Sequence, residues 1–216
     1  MPGCTGDAGT FSVNYGWENN PAEAALGIRV VAPGGMTAEA TDALARHGKY
    51  SLLLTEDPEF GTPEAYIAHV KNLETGDQVT VTVFINPYSD GLAKGRLWAH
   101  YSTDSDPDTV LLNADGNYQY AEMWTWNSLS FTWTVPAGYT ALVPKIRLFS
   151  LGQNYLFVDD VTVTVPKHAV VVLPGGKSSF NCASNAGCSN TCFGKSCDFW
   201  VETMGQQLPT LEIQYG

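Results

Sequence analysis

Aromatic residues beside polar ones are the first places in this sequence where chemistry is possible. A pyranose ring has apolar C–H faces that stack on flat aromatic side chains, and hydroxyls that need Asp, Asn, Gln, Arg or Tyr to fix them. Three aromatics, Phe84, Trp98 and Trp124, stand at positions whose strand parity turns them away from a core. Trp98 is the strongest of them, because Arg96 and His100 share its parity and make a polar neighbourhood. Glu122 shares parity with Trp124 and would set an acceptor beside a stacking ring. Plain cross-strand packing is the competing account for each. Trp126, Phe131 and Trp133 read as core residues.

Carboxylates supply the second kind of chemistry. Asp159 keeps step with Phe157, Val161 and Val163 and is expected to point inward at the end of a sheet, with Asp160 outward. A buried carboxylate without partners costs several kcal/mol or takes up a proton, so an inward Asp159 needs a cation or N–H donors. Asp104, Asp106 and Asp108 have the spacing of a calcium loop. Thr109 stands where that loop wants Gly, however, Pro107 interrupts it, and Asp115 replaces the closing Glu. A solvated acidic loop is expected there. Catalytic signatures are missing: there is no G-x-S-x-G elbow, no H-E-x-x-H helix, and no second carboxylate to pair with Glu122. His47, His69, His100 and His168 are scattered, none of them paired at metal spacing. The chain is not expected to be an enzyme.

Cysteine placement is uneven. Cys182, Cys188, Cys192 and Cys197 follow the spacing C-x5-C-x3-C-x4-C among Asn, Ser and Gly, while Cys4 stands alone near the start. Without a C-x-x-C pair or a nearby His, disulfides in an oxidising compartment fit better than zinc. Their connectivity and the partner of Cys4 stay open. Met1-Pro2-Gly3-Cys4 lacks the basic start and apolar stretch of a signal peptide, and the pattern at Leu211-Glu212-Ile213-Gln214 breaks off at Gly216. The chain is therefore expected to be part of a larger secreted polypeptide.

Composition narrows the partners. Among 216 residues, 22 Asp+Glu oppose 11 Lys+Arg, a net charge of −11. That balance argues against nucleic acid and against anionic membrane surfaces, both of which call for clustered cations. No apolar run reaches the ~18–20 residues of a membrane span. With 44% hydrophobic and 12% aromatic residues, the chain has what it needs for a folded core.

These residues must be held by strands, because alternation at period two dominates the centre. Val79, Val81, Val83 and Ile85 alternate with Thr80, Thr82 and Phe84; Leu97, Ala99 and Tyr101 with Arg96, Trp98 and His100; Phe131, Trp133 and Val135 with Ser130, Thr132 and Thr134. Ile146 and Leu148 continue the series, and residues 155–165 form the last strong run. Residues 11–18 and 50–54 are shorter candidates. Segments 37–47 and 63–73 have helical propensity; the second reads as one strand with Tyr66, Ala68 and Val70 on one face. Short strands parted by Gly, Pro, Asn and Asp turns predict an all-β sandwich of two antiparallel sheets. The expected organisation is an extension over 1–10, the sandwich over 11–168, a linker over 169–180 and a cysteine-rich module over 181–216.

Several landmarks occur in a recognisable order: Trp17-Glu18, then His47-Gly48-Lys49-Tyr50-Ser51-Leu52, Leu73-Glu74-Thr75-Gly76-Asp77, Trp126 ahead of the segment 131–136, and Val158-Asp159-Asp160-Val161. Together they resemble the jelly-roll carbohydrate-binding modules of the xylan- and glucan-binding, galactose-binding-domain-like type. The tail around Ser196-Cys197-Asp198-Phe199-Trp200 resembles short cysteine-rich extracellular repeats. The first resemblance implies a jelly-roll fold and a structural calcium ion, with carboxylates from Glu18 and Asp159, the Lys49 carbonyl, and Asp160 as a weaker ligand. It implies non-catalytic polysaccharide binding. The alternative is an extracellular matrix or adhesive domain that uses the same fold for protein contacts.

Overall fold

Side-chain alternation becomes strand structure throughout the centre of the chain. A computed structural model describes residues 9–18, 30–31, 37–56, 63–88, 94–120, 124–149, 154–174, 202–203 and 206–207. Its strands are β1 Thr10–Tyr15, β2 Val30–Val31, β3 Thr37–Thr41, β4 Ser51–Thr55, β5 Glu64–Tyr66, β6 His69–Lys71, β7 Gln78–Pro87, β8 Lys94–Ser102 and β9 Leu112–Tyr120. They continue as β10 Asn127–Thr134, β11 Ala141–Phe149, β12 Tyr155–Pro166 and β13 Val170–Val172, with a separate ladder of β14 Glu202–Thr203 and β15 Gln206–Gln207. No α-helix occurs among the described residues.

Two antiparallel sheets carry the fold. The first runs β10-β7-β12-β4-β3, with β1 also on β12. β12 is long enough to take β4 along its first half and β1 along its second. The second sheet runs β13-β6-β11-β5-β2, with β8 on β11 and β9 outside β8. From β4 onward the chain passes repeatedly between the sheets, which makes a jelly-roll sandwich.

Burial explains why these runs pair as they do. Val79, Val81, Val83 and Ile85 of the first sheet are fully buried, as are Leu97, Ala99, Leu142, Ile146 and Leu148 of the second. Each of the Val, Leu and Ile side chains contributes ~1.5–3 kcal/mol when removed from water. The complementary parity is left on the two outer faces.

Four expectations change. First, residues 63–73 are two strands, broken at Ile67-Ala68. The break lies opposite Pro144, whose carbonyl accepts Ile67 N at 3.0 Å and whose ring nitrogen has no hydrogen to return. Tyr66 therefore pairs with Lys145 on the outer face, while Val70 goes to the core. Second, the register shifts between Asp159 and Thr162, with Asp160 at φ 50°. This bulge resets parity: Leu156 and Val158 before it and Val161 and Val163 after it are core, while Asp159 lies opposite Phe84 on the outer face. Third, β13 lies inside the segment expected to be linker, and Ala169, Val171 and Leu173 join the core. Fourth, Trp133 is core with Phe131 packed against it, but Trp126 is only half-buried. Residues 37–41 form β3, which pairs with β4. All five cysteines and Glu122 lie outside the described residues.

Candidate functional site

The ladder between β8 and β11 sets the outer face of the second sheet. Arg96 lies opposite Arg147, Trp98 opposite Lys145, His100 opposite Val143, and Lys94 opposite Phe149. Tyr118 of β9 lies beside Arg96, while Tyr66 and Glu64 of β5 lie beside Lys145 and Arg147. Parity thus brings Arg96, Trp98 and His100 onto one face, as the sequence predicts.

On that face aromatic rings and cations alternate. Lys94 Nζ stands 4.6 Å from the Phe149 ring centre and 5.0 Å from that of Tyr118. The Arg96 guanidinium carbon is 4.7 Å from Tyr118 and 4.6 Å from Trp98. Lys145 Nζ is 3.9 Å from Trp98 and 5.4 Å from Tyr66. Ring quadrupoles attract such cations by ~0.5–2 kcal/mol each and hold long side chains in place. Lys145 is buried and sits 3.7 Å from Glu64 Oε1, so a low-dielectric ion pair anchors that end of the stripe.

One end of the face is closed and the other open. Loop 103–111 folds back over the closed end. There the Pro107 carbonyl lies 2.7 Å from His100 Nε2, the Thr103 carbonyl lies 2.9 Å from His69 Nε2, and Ser102 Oγ donates to the Asp106 carbonyl. Burial pulls His69 down to about 4, leaving it neutral at ordinary pH. Within the loop, Asp106 accepts from Asp108 N and Thr109 Oγ1, so the acidic cluster organises its own turn. At the open end Tyr118 is 46% and Phe149 38% exposed. Trp98, between the ends, is half-buried. Its indole Nε1 and the neighbouring Arg96 Nε are buried without hydrogen-bond partners among the described residues.

A bulge gives Trp98 its setting. Leu97 pairs with Asn117 and Ala99 with Ala114, so Trp98 faces two residues of β9, Asp115 and Gly116. A Cβ on Gly116 would strike the Leu97 carbonyl and the Trp98 Cα, so only glycine lets β9 pass this close. The bulge also frees the Asp115 carbonyl, which accepts the Trp133 indole N–H at 2.7 Å.

The other predicted ligand residues stand elsewhere. Phe84 is on the outer face of the first sheet, with the Arg46 guanidinium 3.6 Å above its ring. Trp124 is in a turn, at φ 64°, where strand parity has no meaning. It is 62% exposed and makes an edge contact with Tyr88 at 3.9 Å between ring centres. Tyr88 also approaches Tyr155 and Phe157. Sequence reasoning missed Lys94, Lys145, Arg147, Tyr66, Glu64 and Tyr118. Extending the alternation of Ile146 and Leu148 through β11 would have found Lys145 and Arg147.

The residues expected to hold calcium instead clasp loop 42–50. Asp159 is fully buried, accepting Arg46 N at 2.8 Å, His47 N at 3.2 Å and Asp160 N at 2.8 Å. Burial raises its pKa, and the three N–H donors oppose the rise. Asp160 Oδ2 meets Arg46 Nη1 at 2.5 Å and His47 Nδ1 at 2.6 Å. Glu18 accepts the N–H groups of Lys49 and Tyr50 at 2.7–3.0 Å, so Lys49 meets Glu18 through its N–H. Among the described residues, no three His, Cys, Asp or Glu side chains stand where they could share a metal ion. Calcium takes six to eight oxygens; in this arrangement the Asp159 and Glu18 carboxylates meet N–H donors.

No protein family and no curated protein matches the chain in sequence. Solved structures do resemble it. The xylan-binding family 22 module of Paenibacillus barcinonensis xylanase 10C is 15% identical at a TM-score of 0.44, covering 71% of this chain and 93% of its own. The family 22 and catalytic modules of Clostridium thermocellum xylanase 10B, complexed with xylohexaose, are 17% identical at a TM-score of 0.49, covering 71% of this chain and 28% of their own. A family 61 module with β-1,4-galactotriose is 13% identical at a TM-score of 0.47, covering 69% and 97%. A bacteriophage tailspike enzyme domain is 10% identical at a TM-score of 0.47, covering 68% and 21%.

Proposed function

We propose that the chain is a non-catalytic polysaccharide-binding module of a secreted protein, which takes its ligand on the outer face of the second sheet. The observation that carries this reading is the stripe of rings and cations from Phe149 to Tyr66, with two buried donors, Trp98 Nε1 and Arg96 Nε, lacking acceptors among the described residues. An orphaned buried donor costs ~1–3 kcal/mol, which an acceptor on a bound ligand or a water can recover. Tyr118 and Phe149 offer ring faces for pyranose stacking at the open end. Hydrolysis needs two facing carboxylates; Glu64 on this face is engaged with Lys145. Secretion is part of the proposal and rests on the cysteine pattern.

The test is retention on insoluble polysaccharides, with thermal midpoints measured alongside. Tyr118→Ala and Trp98→Ala are expected to weaken retention about tenfold or more, the scale of losing one stacked ring. Trp124→Ala should bind like the parent. Unchanged retention in both face variants would remove the site from this sheet.

The exposed Trp124–Tyr88 patch favours a second reading, in which the chain contacts another extracellular protein. Loss of a protein partner with Trp124→Ala, in a chain that retains no polysaccharide, would select that reading.

A further inference from the structure

The first sheet gathers aromatic rings at one end of its outer face. Parity puts Phe84 and Asn86 on that face of β7, because Val83 and Ile85 are core, and Tyr88 follows just beyond the strand. Asn86 pairs with Phe157, Phe157 with Leu53 and Leu53 with Glu39, so the four form one row across β7, β12, β4 and β3. Tyr88 N donates to the Tyr155 carbonyl at 3.0 Å, and Trp124 N to the Pro87 carbonyl at 3.2 Å, which brings both rings beside that row. Trp124, Tyr155 and Phe157 stand edge-on to Tyr88, at interplanar angles of 72°, 81° and 81°. A pyranose stacks on a flat, open ring face. Walls at such angles make a corner, which suits a compact group. Trp124 is 62% exposed at φ 64°, so a strained backbone sets the largest ring of the corner in water.

The corner has what a cation with N–H donors needs. Ring faces are negative and attract cations. Other rings have them already: Arg46 stands over Phe84, Lys94 over Phe149 and Tyr118, and Lys145 over Trp98. Among the described residues, no cation stands over Tyr88, Trp124, Tyr155 or Phe157. Asn86 is 2% exposed, and its Oδ1 has no hydrogen-bond partner among the described residues. A carbonyl oxygen only accepts, so it lacks a donor, and an ammonium group carries three. Glu39, exposed at the far end of the row, makes no ion pair among the described residues. Asp159 and Asp160, beyond the row on the Phe84 side, are engaged with residues 46 and 47. The net charge of −11 draws cations to the chain.

We propose that this corner docks a lysine side chain of a partner protein, with its methylene stem against Trp124 and Tyr88 and its ammonium shared between the rings and Asn86 Oδ1. This rests on the protein-contact reading of the Trp124–Tyr88 patch, and it adds to the polysaccharide face without replacing it. Tyr88, 40% exposed beyond the end of β7, is the ring that turns to admit the ammonium. Lysine fits better than arginine, because its charge is compact and its stem thin, whereas a planar guanidinium lies flat on a ring.

The experiment titrates the whole isotope-labelled chain with a blocked peptide that has one lysine among Gly and Ser, and with its acetyl-lysine twin. Glucosamine oligomers serve as the cationic sugar. Binding is followed by backbone amide signals of β7 and β12 and by the Trp124 indole signal, at about 0.15 M salt, where the field of distant charges is screened within about 8 Å. The lysine peptide is expected to bind about tenfold or more tighter than its twin, the scale of one charge-assisted contact. That preference should vanish in Trp124→Ala and shrink about threefold or more in Asn86→Leu. Polysaccharide retention should be unchanged in both. Trp124 is exposed, so its variant keeps the test if Asn86→Leu unfolds. A lysine preference that survives Trp124→Ala belongs to the net charge and overturns the docking site. Equal binding of the twins, lost together in Trp124→Ala, overturns the lysine proposal and leaves the protein-contact reading standing. Binding of neither peptide, or of glucosamine oligomers alone, overturns it as well.

Discussion

At the scale of single residues, the two buried groups that matter most for stability are Asp159 and His69. Asp159, itself fully buried, accepts three backbone N–H groups. Asp159→Ala removes the acceptor of all three and should cost about 1–3 kcal/mol, read as a lower thermal midpoint and earlier proteolysis within residues 42–50. Because the donors are N–H groups, a chelator should leave the parent's midpoint unchanged. A midpoint that falls with chelator and returns with calcium contradicts this account of the clasp. His69 predicts an acid weakness. Burial holds it at about 4 in the fold, below its ordinary value near 6.5. As pH falls through that window the unfolded chain takes the proton first. Stability should drain by about 3 kcal/mol between roughly pH 6.5 and 4 and level off below. His69→Phe should flatten that slope in denaturant melts; a slope that persists would assign it to other groups. The importance of Asp159 was legible in the sequence, but its direction was not. A single bulge residue reverses parity, and nothing in Val158-Asp159-Asp160-Val161 marks which residue is extra.

At the scale of elements, legibility followed hydrophobic alternation. β7, β8, β10 and β12 announce themselves because one side of each is Val, Leu, Ile or aromatic and the other polar. β9, reading LNADGNYQY, hides because Asn, Asp and Gly are poor strand formers. It is a strand because the ladder of β8 captures it, and with it Tyr118. β11 was read by its core residues alone, so its outward Lys145 and Arg147 went unseen beside the Trp98 they complete. The bulge between β8 and β9 gives the prediction for this scale. Gly116→Ala should cost about 2–3 kcal/mol through backbone overlap, and it should weaken polysaccharide retention because Trp98 and Tyr118 flank the bulge. A variant that melts like the parent and binds like it would show that the bulge does not set the face.

At the scale of the whole molecule, the sandwich has two outer faces of different character. That of the first sheet is a field of paired hydroxyls and amides, with Ser12 bonded to Thr164, Thr162 to Asn14, Thr80 to Thr132 and Thr82 to Ser130, each at 2.7–2.8 Å. These hydroxyls and amides satisfy one another, while Asn86 Oδ1 near the end of β7 is buried without a partner among the described residues. That of the second sheet holds cations, rings and two buried donors without acceptors among the described residues, and the proposed ligand face rests on it. The most direct test follows indole N–H signals of the isotope-labelled chain while oligosaccharides from the best-retained polysaccharide are added. The Trp98 indole signal is expected to shift as its donor gains an acceptor, while the Trp133 indole, already bonded to Asp115, stays in place. Saturable binding that leaves Trp98 unmoved, or shifts confined to Trp124, would contradict the account.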